Sequence, residues 1–169
     1  MENSAATVMA AIYPGFFIAY IIRISELQNA SLLLFYFFSV VFVNDIMAYI
    51  AGLSIGRGTR MGLIISPKKS LVGFIFGFLG AVGISILYYY TIPGLFNIEI
   101  GGVIIIGSVF GIVGILGDLV ESALKRSAEV KDSGEIIPGR GGLLDSIDSM
   151  LFVAPIFYYI FKISQKYPG

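Results

Sequence analysis

The sequence predicts an all-α, polytopic membrane protein with about five transmembrane helices. Hydrophobic residues fill 57% of its 169 positions and charged residues only 13%, against roughly 45–50% and about 25% in soluble domains. Five apolar runs, at 6–24, 32–55, 71–92, 102–124 and 143–163, have about the ~20-residue length that a bilayer core demands. Mean hydropathy is +0.90, and so many apolar helices leave too little polar surface to cover them in water. No linker or low-complexity tract interrupts the chain, so residues 1–169 are expected to form one membrane-embedded domain.

The first run follows MENSAATVMAA, which has Glu2 and no Lys or Arg ahead of the apolar stretch. A secretory leader carries a positive start, so this run is expected to be a retained helix. The second run is interrupted by Asn44 and Asp45. Asp45 reads either as a polar contact between helices or as the lining of a polar cavity. Ser66-Pro67-Lys68-Lys69-Ser70 opens the third run, and proline suits a helix start. Its lysines either anchor at head groups by snorkelling or supply a phosphate contact. The phosphate role is the preferred reading for one of Lys68 and Lys69.

The fourth run carries Asp118 and Glu121. Asp118, Ser122 and Lys125 share one helix face by their spacing. Its glycines, Gly107, Gly111, Gly114 and Gly117, permit close helix contact, within the bundle by preference over between subunits. The fifth run opens with Asp145 and Asp148, three apart on one face. They read equally as helix-start acids favoured by the dipole or as a cation or phosphate site. The preceding Pro138-Gly139-Arg140-Gly141-Gly142 allows backbone N–H groups to approach a ligand. Most of the 14 Phe and 10 Tyr, with Tyr88-Tyr89-Tyr90 and Tyr158-Tyr159 among them, are expected at the lipid face or in interfacial belts.

Orientation follows from the bases. Arg57, Arg60, Lys68 and Lys69 precede the third run, and Lys125, Arg126, Lys131 and Arg140 lie between the fourth and fifth. These are 8 of the 11 basic residues, and both loops fall on one side. The positive-inside rule makes that side cytoplasmic, with Lys162 and Lys166 facing outward. The expected location is thus the cytoplasmic (inner) membrane, with the polar site open to the cytoplasm. Zero net charge gives no sign of a nucleic-acid partner. The chain has no Cys and no His, which removes thiolate catalysis and the commonest general base and metal ligand. Any catalysis is limited to carboxylates, Lys, Arg and hydroxyls, with hard cations as the metals these would suit.

The densest polar stretch is SALKRSAEVKDSGEIIPGRGGLLDSID, from Ser122 to Asp148. Charge of this kind is costly at a bilayer and reads as functional by default. Ser122-x-Leu124-Lys125-Arg126-x4-Lys131-Asp132-x-Gly134-x3-Pro138-Gly139-x-Gly141-Gly142-Leu143-x-Asp145-x2-Asp148 closely resembles the signature of phosphatidate cytidylyltransferases, the CDP-diacylglycerol synthases. Gly117-Asp118-Leu119-Val120-Glu121, Asn44-Asp45 and Ile65-Ser66-Pro67-Lys68-Lys69-Ser70 resemble further landmarks of that family, in order. Two positions depart from the pattern. Arg140 stands where the family commonly has His, and Ser146 where it has Arg. The resemblance is to a short form, without the extra N-terminal helices of typical bacterial members.

The resemblance implies a single catalytic domain, with its signature region at 118–148. It implies CMP transfer from CTP to phosphatidic acid, giving CDP-diacylglycerol and pyrophosphate, with magnesium as one or two ions. It assigns Asp118 and Asp145 as the metal-bridging pair and Asp148 as a further ligand. Lys125, Arg126 and Lys131 would bind triphosphate and lipid phosphate, with Arg140 able to donate to a phosphate. Ser122 and Asp132 would contact substrate or support its ligands. The family also implies a homodimer. CDP-archaeol synthases, short five-helix enzymes of the same chemistry, are the near alternative, but they lack the Lys-Asp-x-Gly and Pro-Gly-x-Gly-Gly runs in this form. A cation-coupled transporter would also bury charge, yet the sequence contains neither an internal repeat nor paired broken helices.

Overall fold

The computed structural model describes residues 14–62, 66, 69–127 and 144–166, with the side chains of 144–146 outside that description. In chain order the helices are α1, Pro14–Ile24; α2, Ala30–Ser54; α3, Leu71–Thr91; α4, Ile100–Ser127; and α5, Leu144–Lys166. A short 3-10 turn, Gly56–Thr59, follows α2. Helices α2 to α5 are each long and apolar enough to cross a bilayer. Of the expected first span, residues 6–13 lie outside the described residues.

Local chemistry sets the helix ends. Asn29 precedes α2 with φ 57°, a left-handed conformation that Asn tolerates better than most residues. Ser70 caps α3, its hydroxyl accepting from the Gly73 N–H at 3.0 Å. This leaves Ser66 ahead of the helix, which begins at Leu71. Gln28 and Gln165 exchange two hydrogen bonds, at 3.1 and 3.0 Å, tying the α1–α2 turn to the end of α5. The opposite end of the bundle therefore gathers the end of α2, the starts of α3 and α5, and the end of α4.

Helix α3 lies between α2 and α4, and α5 packs on α4 and α2. Glycine makes these approaches close. A Cβ added at Gly77 would lie 2.6 Å from Asn44 Oδ1, and one at Gly73 2.8 Å from the Ala48 carbonyl oxygen. On α4, a Cβ at Gly107 would meet Ser85 Oγ at 2.7 Å, one at Gly111 would meet Ala81 Cβ at 3.2 Å, and one at Gly117 would meet Phe152 Cβ at 2.9 Å. The α4 glycines thus pack inside the bundle. Outward-facing positions are apolar, with Phe35, Ile105 and Leu116 exposed, as expected of a surface solvated by lipid.

The aromatic residues correct one expectation. Tyr36, Phe37, Phe110 and Phe157 are buried at the centre of the core, and Tyr88 and Tyr158 are buried as well. Tyr90 and Tyr159 remain outward. Burial of Tyr36 and Tyr88 is stabilised by helix serines. Ser85 Oγ donates to the Ala81 carbonyl at 2.7 Å, so the Tyr36 hydroxyl 2.7 Å away is the donor to Ser85. Ser39 Oγ likewise donates to Phe35 O, leaving Tyr88 to donate to Ser39 at 2.8 Å. Such partners offset the cost of burying a hydroxyl. Sequence position alone places Tyr88 and Tyr158 at an interface, and the fold buries both.

Candidate active site at the basic end of the bundle

Three helices and the entry to α3 bring carboxylates and lysines together at the end that holds most of the bases among the described residues. Asp45 comes from α2, Asp118 and Glu121 from α4, and Asp148 from α5. Asp118 precedes the end of α4 by nine residues, or ~13 Å at 1.5 Å per residue. The acids are therefore set below the mouth of the bundle. Asp118, Glu121 and Asp45 each interact electrostatically with Asp148.

Two ion pairs neutralise part of this charge. Lys69, entering α3, places Nζ 2.6 Å from Asp118 Oδ2. Lys125 reaches back one turn, Nζ 2.6 Å from Glu121 Oε2, and the Glu121 side chain is only 1% exposed. The face shared by Asp118, Ser122 and Lys125 is present on α4, but Lys125 engages Glu121 and Asp118 engages Lys69. Ser122 is half-buried and Arg126 exposed.

Asp148 is buried at the fifth position of α5. The first four N–H groups of a helix are the ones left for a capping acid. Capping therefore does not account for Asp148. The Asp148 carboxylate accepts the Ser149 backbone N–H at 2.7 Å. Ser149 Oγ in turn donates to Asp45 Oδ1 at 3.2 Å, so Asp45 meets the same acidic cluster. Beside it, buried Asn44 donates to the Gly111 carbonyl at 3.4 Å. The side chain of Asp145, and Lys68, Lys131, Asp132 and Arg140, lie outside the described residues.

The donors of this cluster are all oxygen, in a chain without Cys or His. Such a set suits a hard divalent cation and not a soft one. Among the described residues no three acids stand grouped closely enough to hold a metal ion as they are.

A family model described as the cytidylyltransferase family matches residues 1–164. The chain belongs to the cytidylyltransferase family. It is 41% identical over 170 residues to a phosphatidate cytidylyltransferase of Thermotoga maritima, covering 97% of this chain and 61% of that protein. Against the protein of the same name from Synechocystis the figures are 46% identity, 72% of this chain and 40% of the relative. For that of Bacillus subtilis they are 39%, 90% and 56%. The chain thus spans roughly half the length of these curated cytidylyltransferases.

In this cytidylyltransferase-family chain, sequence reasoning gave no role to Glu121, Asn44 or Ser149. Glu121 had a readable signal, its four-residue spacing to Lys125 on one helix face. Ser149 had none, because its partner Asp45 is 104 positions away.

Proposed function

We propose that this chain transfers CMP from CTP to phosphatidic acid, giving CDP-diacylglycerol and pyrophosphate for phospholipid synthesis. The observation that carries the reading is the meeting of Asp118, Glu121 and Asp148 with Lys69 and Lys125 at the basic end of an otherwise apolar bundle. Family membership and the names of the relatives support it. The residues act as one membrane-embedded catalytic unit in the inner membrane, with the basic end towards the cytoplasm, where the nucleotide is. Assembly as a homodimer belongs to the same reading, and the molar mass of the detergent-solubilised protein tests it.

An ionised phosphate oxygen of the lipid attacks the α-phosphorus of CTP, and the bond from that phosphorus to the β-phosphate's bridging oxygen breaks. The nucleophile arrives deprotonated, so a chain without His lacks nothing for the step. Catalysis of this kind is positioning and charge neutralisation. Asp118 and Asp145, with Asp148, would hold magnesium, as one or two ions, which neutralises the triphosphate and the leaving pyrophosphate. Lys125, Arg126, Lys131 and Arg140 would bind phosphate from the loop side, and Lys68 and Lys69 from the entry to α3. Ser122 and Asp132 would contact substrate or orient its ligands, and Asp45, through Ser149, would line the polar cavity.

The test is pyrophosphate release by the purified protein in detergent with CTP, magnesium and phosphatidic acid, beside Asp145→Asn and with archaetidic acid as a second acceptor. Turnover with phosphatidic acid, lost in the variant, is expected. Turnover with the ether lipid alone would move the acceptor to the archaeal class. Absence of turnover with either, from a folded protein, would count against the reading.

A further inference from the structure

Two lysines assigned to phosphate already hold a carboxylate, and the two pairs differ. Lys125 is paired within its own helix to Glu121, which is 1% exposed. Lys69 reaches from the entry of α3 across to α4, where Asp118 is 39% exposed. The Lys69 Nζ atom is shut from solvent and, beyond its contact with Asp118, finds no hydrogen-bond partner among the described residues. The Phe74 ring lies 6.0 Å from it, the outer limit of a cation–π contact. An ammonium has three donors, and buried donors are normally satisfied. This one is placed to serve an anion besides Asp118.

We propose that Lys69 and a divalent cation alternate on Asp118. With Lys69 on the carboxylate the cation is off; with the cation on it, Lys69 turns to the substrate's phosphate. The proposal rests on reading Asp118 as a cation ligand. An ammonium and a divalent cation on one partly buried carboxylate would repel strongly at a few ångströms, so occupancy is exclusive. Asp118 also stands within electrostatic reach of Asp148, as do Glu121 and Asp45. Lys69 supplies the positive charge that this crowding requires whenever the cation does not. Linkage then makes the coupling reciprocal. A phosphate that draws Lys69 away strengthens cation binding, and a bound cation strengthens phosphate binding by releasing Lys69. The site therefore favours the pair of ligands over either alone.

The experiment titrates the purified full chain in detergent with Mn2+, without substrate, reading free Mn2+ by electron paramagnetic resonance. Lys69→Gln is expected to bind Mn2+ about fivefold tighter or more, and Lys69→Arg to stay near wild type. Lys125→Gln removes an equal charge opposite Glu121 and is expected to shift the affinity less. Equal shifts in Lys69→Gln and Lys125→Gln would reduce the effect to a general field and overturn alternation. If Asp118→Asn weakens Mn2+ binding while Lys69→Gln leaves it unchanged, the cation site stands and alternation falls. If Asp118→Asn leaves Mn2+ binding unchanged, Asp118 is no ligand and both readings fall. A second measurement needs no variant: Mg2+ should speed labelling of Lys69 by an amine-reactive reagent, read by mass spectrometry. An unchanged rate would overturn the proposal.

Discussion

Ser149 Oγ donates to Asp45 Oδ1 at 3.2 Å while the Ser149 backbone N–H donates to Asp148 Oδ1 at 2.7 Å. One buried serine thus fixes two acids, from α2 and from its own helix. Ser149→Ala removes the hydroxyl bond and is expected to cost about 1 kcal/mol of stability. The hydroxyl also lies 3.5 Å from Asp148 Oδ1, and loss of a group that orients a cation-binding acid typically costs about 10–100-fold in affinity or activity, so turnover should fall towards that range. Ser149→Thr, which keeps the hydroxyl, should recover most of it. Thermal unfolding and pyrophosphate release, measured on both variants, check the pair. Equal turnover in Ala and Thr would show that the hydroxyl has no part in the site.

The Lys125–Glu121 pair makes an ordered prediction. Removing one member of a buried pair costs about 3–5 kcal/mol, because the remaining charge keeps its desolvation cost. Glu121 is far more buried than Lys125, at 1% against 19% exposed, and a lysine stem can carry its charge towards water. Lys125→Met should therefore destabilise more than Glu121→Gln. The double variant should be more stable than Lys125→Met alone. Chemical denaturation in detergent reads all three, and the reverse order would contradict the burial asymmetry.

The spanning helices were legible because an apolar run of bilayer length has few other solutions. Asp118 and Asp148 were legible because charge inside such a run is costly enough to need a reason. The pairing was not. Asp118 has Ser122 and Lys125 on its own face, yet it is bound by Lys69 from the entry of α3, a contact set by how α3 packs on α4. Tyr88 is buried for a related reason. Its partner Ser39 lies 49 positions away, and without it a buried hydroxyl looks unfavourable. Local spacing reports which residues share a face, and tertiary packing decides what that face meets.

Glycine at position 77 is expected to be indispensable where glycine at 83 is not. A Cβ at Gly77 would stand 2.6 Å from Asn44 Oδ1 and 2.9 Å from the Asn44 backbone oxygen, whereas nothing lies within 4 Å of one at Gly83. Gly77→Ala must push α2 and α3 apart, at about 1–3 kcal/mol for overpacking. Gly83→Ala should be neutral or gain up to ~1 kcal/mol from helix propensity. Melting temperatures of the two variants in one detergent decide it, and equal values would mean that the close α2–α3 approach is not set by Gly77.

Asp148 separates a structural acid from a functional one. It is buried, lies past the positions that a capping acid serves, and shares its surroundings with Asp118, Glu121 and Asp45. Like charges gathered in a low-dielectric place work against the fold. Asp148→Asn keeps the shape and an acceptor for the Ser149 N–H while removing one of those charges. The melting temperature should therefore hold or rise. Turnover should fall by about 10²-fold or more, the scale seen when one preorganised electrostatic contact to a developing charge is lost. A cap or a purely architectural acid would give the opposite pattern, with lower stability and activity retained in the protein that stays folded. The two measurements on one sample distinguish these cases, because the functional reading requires stability and activity to move apart.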